Sequence, residues 1–453
     1  MKTIVRGAVA AAAVLLGAGA FLLLQANSGK PPKLEAAQRE IWKSDAYNYI
    51  LEMDADDVIM YNYTKDSLLP FAYGRREPDG LIVVDHVHRH SLFNLLIWES
   101  TPIGRFRDGV LRDDLGYEKK FQRITELPQV RINQFTKDPE QNFEAFWQIF
   151  DENYSLFALN NVDWKALYAE NRPKVTPKTT NEELLGIMTG MIRQLKDGHT
   201  QIIPGLSSES SKPAEDDREK LYADNRKKLK TNIRSYLSGE PKSELNDKVL
   251  YGQLEGNLGY VAFDSFMEFD KDAIDAALDR LVRDQGNYRG IVVDLRFNGG
   301  GTDVFALDAA SRFAKERALA FSKHARSGGY TEFYKPTPIY VEPHQNRVQA
   351  ERVVVLTSRV TASAAEAARM AFGTMKHVTI IGETTNGIHS DMLMNILPNK
   401  WLVTLSAEQY IAADGKVYEQ IGLKPGEEVL LQKADIEAGK DPVLERAIAL
   451  LKK

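Results

Sequence analysis

Three stretches of this 453-residue chain hold residues whose type and spacing could do chemistry. The first is "TSRVTASAAEAARMAF", residues 357–372, which follows the apolar run "RVVVL". It reads as the head of a helix entered from a buried strand. A serine at such a head stands beside backbone N–H groups that a helix leaves unpaired, where the helix dipole favours developing negative charge. Ser363 fits a nucleophile whose own N–H and that of Ala364 are expected free to bind an oxyanion. The plainer reading is a set of small residues that let a helix pack closely on a sheet. The second stretch is "VVDLRFNGGGTD", residues 292–303. Its three glycines, Gly299 to Gly301, let the backbone approach a ligand and aim N–H groups at an anion. They read equally as a tight turn. The third is "LKDGHTQIIPG", residues 195–205. His199 sits there in a turn, free to act as a base or simply bonded to nearby backbone.

Composition narrows the chemistry. The chain has no cysteine, which excludes disulfides, thiolate catalysis and cysteine-ligated zinc or iron–sulfur sites. The glycine turn lacks the G-x-G-x-x-G and Gly-Lys-Ser/Thr patterns, so no nucleotide cofactor is expected. A net charge of −5 offers no overall electrostatic footprint for nucleic acid. His86, His88 and His90 in "HVHRH" would share one face of a strand and could hold zinc, but no H-E-x-x-H or carboxylate set accompanies them. No metal is assigned.

The elements that must position these residues follow from periodicity. Lys2 and Arg6 precede the uncharged run 7–26, an export signal. Residues 1–30 read as a cleaved signal peptide or an uncleaved membrane anchor, the former favoured. Residues 35–130 alternate β-formers between breakers and predict a small β-rich domain. Phe143, Phe146, Trp147, Phe150 and Tyr154 recur at helical spacing and open a helical domain over 138–200. In it, Thr180 and Glu183 have capping-box spacing. Residues 201–249 form a charged connecting segment containing a solvated helix over "DREKLYADNRKKLKTNIRSYL". Over 250–435 buried strands alternate with helices, which predicts a mixed, partly parallel α/β core. "LPNK" is a hairpin turn, and a C-terminal helix lies within 436–453, starting near Pro442.

Taken in order, "FWQIFDENYSLFALNNVDW", "LKDGHTQIIPG", "GYVAFDSF", "VVDLRFNGGGTD", "VLTSRVTASAAEAA", "GETTNGIHSDM" and "DGKVYEQIGLKPG" resemble the C-terminal-processing and tricorn-core serine peptidases, relatives of the interphotoreceptor retinoid-binding protein. The resemblance covers about 138–430 and leaves the β-rich domain outside. It implies a core of the ClpP/crotonase-like kind. In the processing branch a lysine after a Gly-Glu-Pro-Thr-Phe-Gly pattern activates the serine. Here "GETTNG" fills that place and Ile388 follows, so the lysine is missing. The tricorn-like branch uses a histidine in a "DGHT"-like stretch, oriented by a glutamate before Gly-x-x-Pro. The resemblance therefore implies Ser363 as nucleophile, His199 as general base and Glu419 as the group that orients His199. It implies an oxyanion hole from Ala364 and the glycine turn, with Gly300 favoured and Gly301 beside it. Gln420 and Gly426 depart from the family's usual Gly and Asp around Glu419. The 201–249 segment is too short for a PDZ domain, so recognition of substrate C-termini by a PDZ groove is not predicted. His389 and Ser390 line the cleft or, equally, serve a packing or surface role.

The expectation is an exported serine peptidase, periplasmic or secreted, acting on peptides or unfolded proteins through an acyl-enzyme, with no cofactor and no nucleic-acid partner. The alternatives on the same fold are a non-catalytic ligand- or peptide-binding protein and a small-molecule esterase or amidase. Substrate preference and oligomeric state are not written in these motifs.

Overall fold

The computed structural model describes residues 31–87, 101–205, 207–285 and 287–453. The export segment, His88 and His90 lie outside the described residues. Among the described residues no cluster of three or more His, Asp or Glu side chains could hold a metal ion, and no helix is long and apolar enough to cross a membrane.

The N-terminal β-formers build β1 (Glu40–Ser44), β2 (Tyr49–Met53), β3 (Asp57–Tyr63), β4 (Leu68–Arg76), β5 (Leu81–Val87), β6 (Thr101–Arg107), β7 (Val110–Arg112) and β8 (Glu118–Ile124). All pairs are antiparallel, and β8 returns to β1 with Ile41 opposite Ile124, so the sheet closes into a barrel. Closure removes the exposed edges that a lone sheet would present. Leu51, Val58, Ile82, Phe106 and Phe121 pack together from strands all round it. The inside is therefore a side-chain core.

The aromatic stripe folds as predicted. The helix Pro139–Asn153 starts at Asp138, whose carboxylate accepts from the N–H groups of Glu140 and Gln141 at 2.9 and 3.1 Å. The helix Asn181–Ile192 carries the capping box: the Thr180 N–H donates to Glu183 at 2.8 Å, and the Glu183 N–H to the Thr180 hydroxyl at 3.3 Å. Phe143, Phe146, Phe150, Trp164 and Met188 join Val403 and Leu405 in one core.

The large sheet runs Lys242–Glu244, Val249–Leu254, Leu258–Phe263, Gly290–Asp294, Arg352–Thr357, Val378–Gly382, Glu427–Glu428. Its first two pairings are antiparallel and the other four parallel. The fold is thus mixed α/β, as expected. Period-two alternation splits its strands between two layers. Ile291, Val293, Val353 and Val355 face the helices Lys271–Gln285, Asp303–Ser311 and Ala364–Gly373. Val292, Val354 and Leu356 face Asp217–Arg234 and Pro442–Leu451. This corrects the reading of Asp217–Arg234 as a solvated helix. Its charges are real, but Tyr222, Leu229 and Ile233 form a buried stripe. Three apolar residues at helical spacing suffice to bind it to the sheet.

A smaller sheet matters for the site. Gln201–Ile203, just after His199, pairs antiparallel with Leu402–Ser406, which forms the predicted hairpin with Met392–Ile396 around residues 397–400. One face of this sheet, through Ile203, Met394 and Leu402, packs on Leu69, Phe71 and Val84 of the barrel. A third sheet combines Ala318–Ala325, Thr337–Val341 and Glu408–Ala412.

Candidate active site

Ser363 caps the helix Ala364–Gly373 with φ 55° and ψ −129°. A non-glycine residue rarely adopts positive φ, and such strain gathers at functional sites. Its N–H donates to the Ile388 carbonyl at 2.7 Å. This corrects the expectation that the Ser363 N–H is free for an oxyanion. The N–H of Ala364, the first helical residue, is of the kind a helix leaves open. Ser358, the other serine of the stretch, is buried and donates to the Arg296 carbonyl at 2.6 Å. It braces the turn.

The glycine turn lies on Ser363. A Cβ on Gly300, where φ is +110°, would come 2.6 Å from Ser363 Cβ and 3.1 Å from its Oγ. Only glycine leaves that space open. The Gly300 N–H, however, donates to Asn298 Oδ1 at 2.8 Å, so the favoured oxyanion donor is engaged inside its own turn. Gly301 pairs as an isolated bridge with Phe266, and Gly299 is exposed. The strand leading into the turn ends in a buried charge network. Arg296 bonds Asp294 through Nε and Nη2 at 3.0 and 2.7 Å, and Asp441 through Nη1 and Nη2 at 2.9 and 2.8 Å. The "DLR" part of the motif is therefore structural.

His199 stands in a turn organised by Asp197, a buried carboxylate that accepts from the His199 N–H at 2.9 Å and the Thr200 hydroxyl at 2.8 Å. Thr404 donates to the His199 carbonyl at 2.7 Å. The ring is half-buried, and its Nδ1 is buried with no hydrogen-bond partner. Gly198 lies directly against the Ile388 side chain. Ile388 thus joins the two pieces: its side chain meets the histidine turn and its carbonyl holds Ser363. An apolar residue fills the place where the processing branch carries lysine.

Glu419 is almost fully buried. Its carboxylate accepts from the His389 N–H at 3.0 Å and the Ser390 N–H at 3.1 Å. The predicted orienter of His199 is therefore bonded to the 389–390 backbone. It still lies near the histidine turn, since Gln420 donates to the Leu195 carbonyl at 2.9 Å. Tyr154 links the two. Burial, then the charges of Asp197 and Glu419, raise its hydroxyl well above the usual tyrosine range.

Two residues of the site escaped the sequence reading. Glu366, fully buried, accepts from the N–H groups of Gly387 and Ile388 at 2.8 Å each, from Ser363 N–H at 3.3 Å and from the Thr385 hydroxyl. It anchors the loop "GETTNGI" to the serine. Its signal was the Ser-x-x-Glu spacing of a capping box. His389, read as lining or packing, lies buried between Glu366 and Glu419, 3.3 Å from one and 3.6 Å from the other. Nothing in its spacing announces a carboxylate thirty residues later.

A strand-to-helix serine and a glycine turn on the mixed sheet, with a histidine turn entering the neighbouring antiparallel sheet, fit the class of the α/β serine peptidases. Residues 257–429 match the model of peptidase family S41, and residues 135–193 match the tricorn protease C1 domain. A "putative peptidase" of solved structure from Parabacteroides merdae is 30% identical over 70% of this chain and 98% of its own, with a TM-score of 0.60. The chain belongs to peptidase family S41. The carboxy-terminal processing protease CtpA of Bacillus subtilis (strain 168) is 25% identical over 179 residues, 39% of this chain. That match spans 36% of CtpA's length. The structure of mature CPAF, 11% identical, superposes with a TM-score of 0.55 over 70% of this chain and 96% of its own, a likeness of fold.

Proposed function

We propose that the protein is an exported serine peptidase that cleaves peptide bonds through an acyl-enzyme. The observation that carries this reading is Ser363, held at φ 55° against Gly300 and tied through Ile388 to the turn of His199. Ser363 Oγ attacks the peptide carbonyl while His199 takes its proton. The tetrahedral oxyanion forms at the Ala364 N–H and the glycine turn. Collapse releases the amine, which carries away the proton from His199, and water then cleaves the ester by the same route. Gly300 serves as oxyanion donor only when its N–H turns from Asn298 or is shared with it. Glu419 has acceptor capacity beyond its two backbone bonds and orients His199 by accepting from Nδ1. The charged flank and apolar run of residues 1–26 support export, and the peptidase relatives support peptides or unfolded proteins as substrates.

A fluorophosphonate probe tests the nucleophile. Wild type labels at Ser363, S363A does not, and mass-spectrometric peptide profiling finds cleavage only with wild type. Absence of labelling and cleavage sinks the proposal. It would favour a non-catalytic peptide-binding protein, for which the engagement of Glu419 with His389 and Ser390 speaks. Labelling with ester but no peptide turnover points to the esterase alternative.

A further inference from the structure

His389 is the part of this site that the triad does not use. The residue is 3% exposed, and its ring lies between Glu366 and Glu419, themselves 0% and 2% exposed. Nε2 is 3.3 Å from Glu366 and Nδ1 is 3.6 Å from Glu419, and neither nitrogen makes a hydrogen bond. The two carboxylates have separate duties. Glu366 holds the N–H groups of Ser363, Gly387 and Ile388, and Glu419 holds those of His389 and Ser390. Two buried carboxylates facing one neutral ring would repel with little solvent to screen them. One imidazolium between them removes most of that repulsion.

We propose that His389 is a positioning residue that works as a cation, fixing the Ser363 turn through Glu366 and the partner of His199 through Glu419. This rests on the Ser363–His199–Glu419 reading. The groups facing the ring are Glu366 and Arg369 from the nucleophile helix and Glu419 from the C-terminal loop. Burial pulls the imidazole pKa down and Arg369 adds to that, but the charges of the two glutamates outweigh both and raise it above the ordinary value. The sign follows. A raised imidazole contributes stability that is complete below its unfolded pKa and is lost as pH rises through the folded one. Cationic His389 is needed at the alkaline end, so activity falls as pH rises through its folded value.

The test uses the full chain. Histidine-selective NMR titration of wild type should find His389 protonated above the ordinary imidazole value of about 6.5. The rate of fluorophosphonate labelling at Ser363 should fall on the alkaline side over the same pH range. H389Q should label at least ~10-fold more slowly near neutrality, with the alkaline limb gone and KM for a cleaved peptide little changed. H389K keeps a cation and should move the limb to higher pH. A His389 already neutral at pH 6.5, or an H389Q variant with the wild-type rate and limb, overturns the inference. Wild type that labels without an alkaline limb overturns it alone. Wild type that never labels overturns the serine reading and the inference with it. Where H389Q does not fold, the wild-type titration and labelling profile decide.

Discussion

Gly300 shows how little room Ser363 has. A methyl group there would meet the Ser363 Cβ at 2.6 Å, at a φ of +110° that side chains rarely adopt. G300A should therefore cost ~1–3 kcal/mol of stability by denaturant titration. It should also slow Ser363 labelling by ~100-fold, because a displaced nucleophile loses its alignment. At this scale the sequence marks candidate residues by their junctions and by what is missing beside them. Ser363 stood at a strand-to-helix junction, and the missing lysine turned attention to His199. It was silent on His389, whose meaning depends on two carboxylates supplied by distant segments. The family resemblance implies Gly300 as a donor, and a glycine turn is compatible with that because it can aim N–H groups at an anion. The Asn298 side chain that takes that N–H could not be weighed before its rotamer was known.

The element that carries the glycine turn is braced from behind. Two residues after the strand Gly290–Asp294 comes Arg296, which is fully buried between Asp294 and Asp441. Asp441 also caps the last helix by accepting from the Leu444 N–H at 3.0 Å. One guanidinium thus ties the strand before the glycine turn to the C-terminal helix. Removing one member of such a network strands the others' charges. R296M should lose ~3–5 kcal/mol in chemical denaturation. The strands and helices of the core were legible because apolar runs bounded by breakers leave few alternatives. Asp217–Arg234 was misjudged because its charge outnumbers its buried stripe. Tyr222, Leu229 and Ile233 are visible only when helical spacing is weighed above composition.

The whole molecule is joined by a buried polar seam. Tyr47 and Tyr117 of the barrel both donate to Glu408 of the core, and Asn48 bonds Asn395. Beside them, the buried ammonium of Lys323 lies 2.7 Å from Asp391 and 3.1 Å from Asp303. Burial, then the Asp391 charge, push Glu408 up to about 7. A carboxyl raised in the folded state favours folding below its unfolded pKa, and that contribution fades as pH climbs through about 7. E408Q keeps an acceptor for the tyrosines without the titration. Its melting temperature should gain on wild type at pH 8 and not at pH 5. A β-rich N-terminal unit was readable from strand signals, but its closure and its seam to residue 408 depend on partners hundreds of positions away.

The pairing of Gln201–Ile203 with Leu402–Ser406 has a consequence for biosynthesis. Ribosomes deliver Ser363 before the strand that seats the His199 turn, and Glu419 later still. A nascent chain ending before residue 402 carries Ser363, the proposed nucleophile, but lacks the β-partner next to His199, its proposed base. On the proposed assignment the site is assembled among the last events of synthesis, and an unfinished or C-terminally clipped chain lacks the strand that seats the His199 turn.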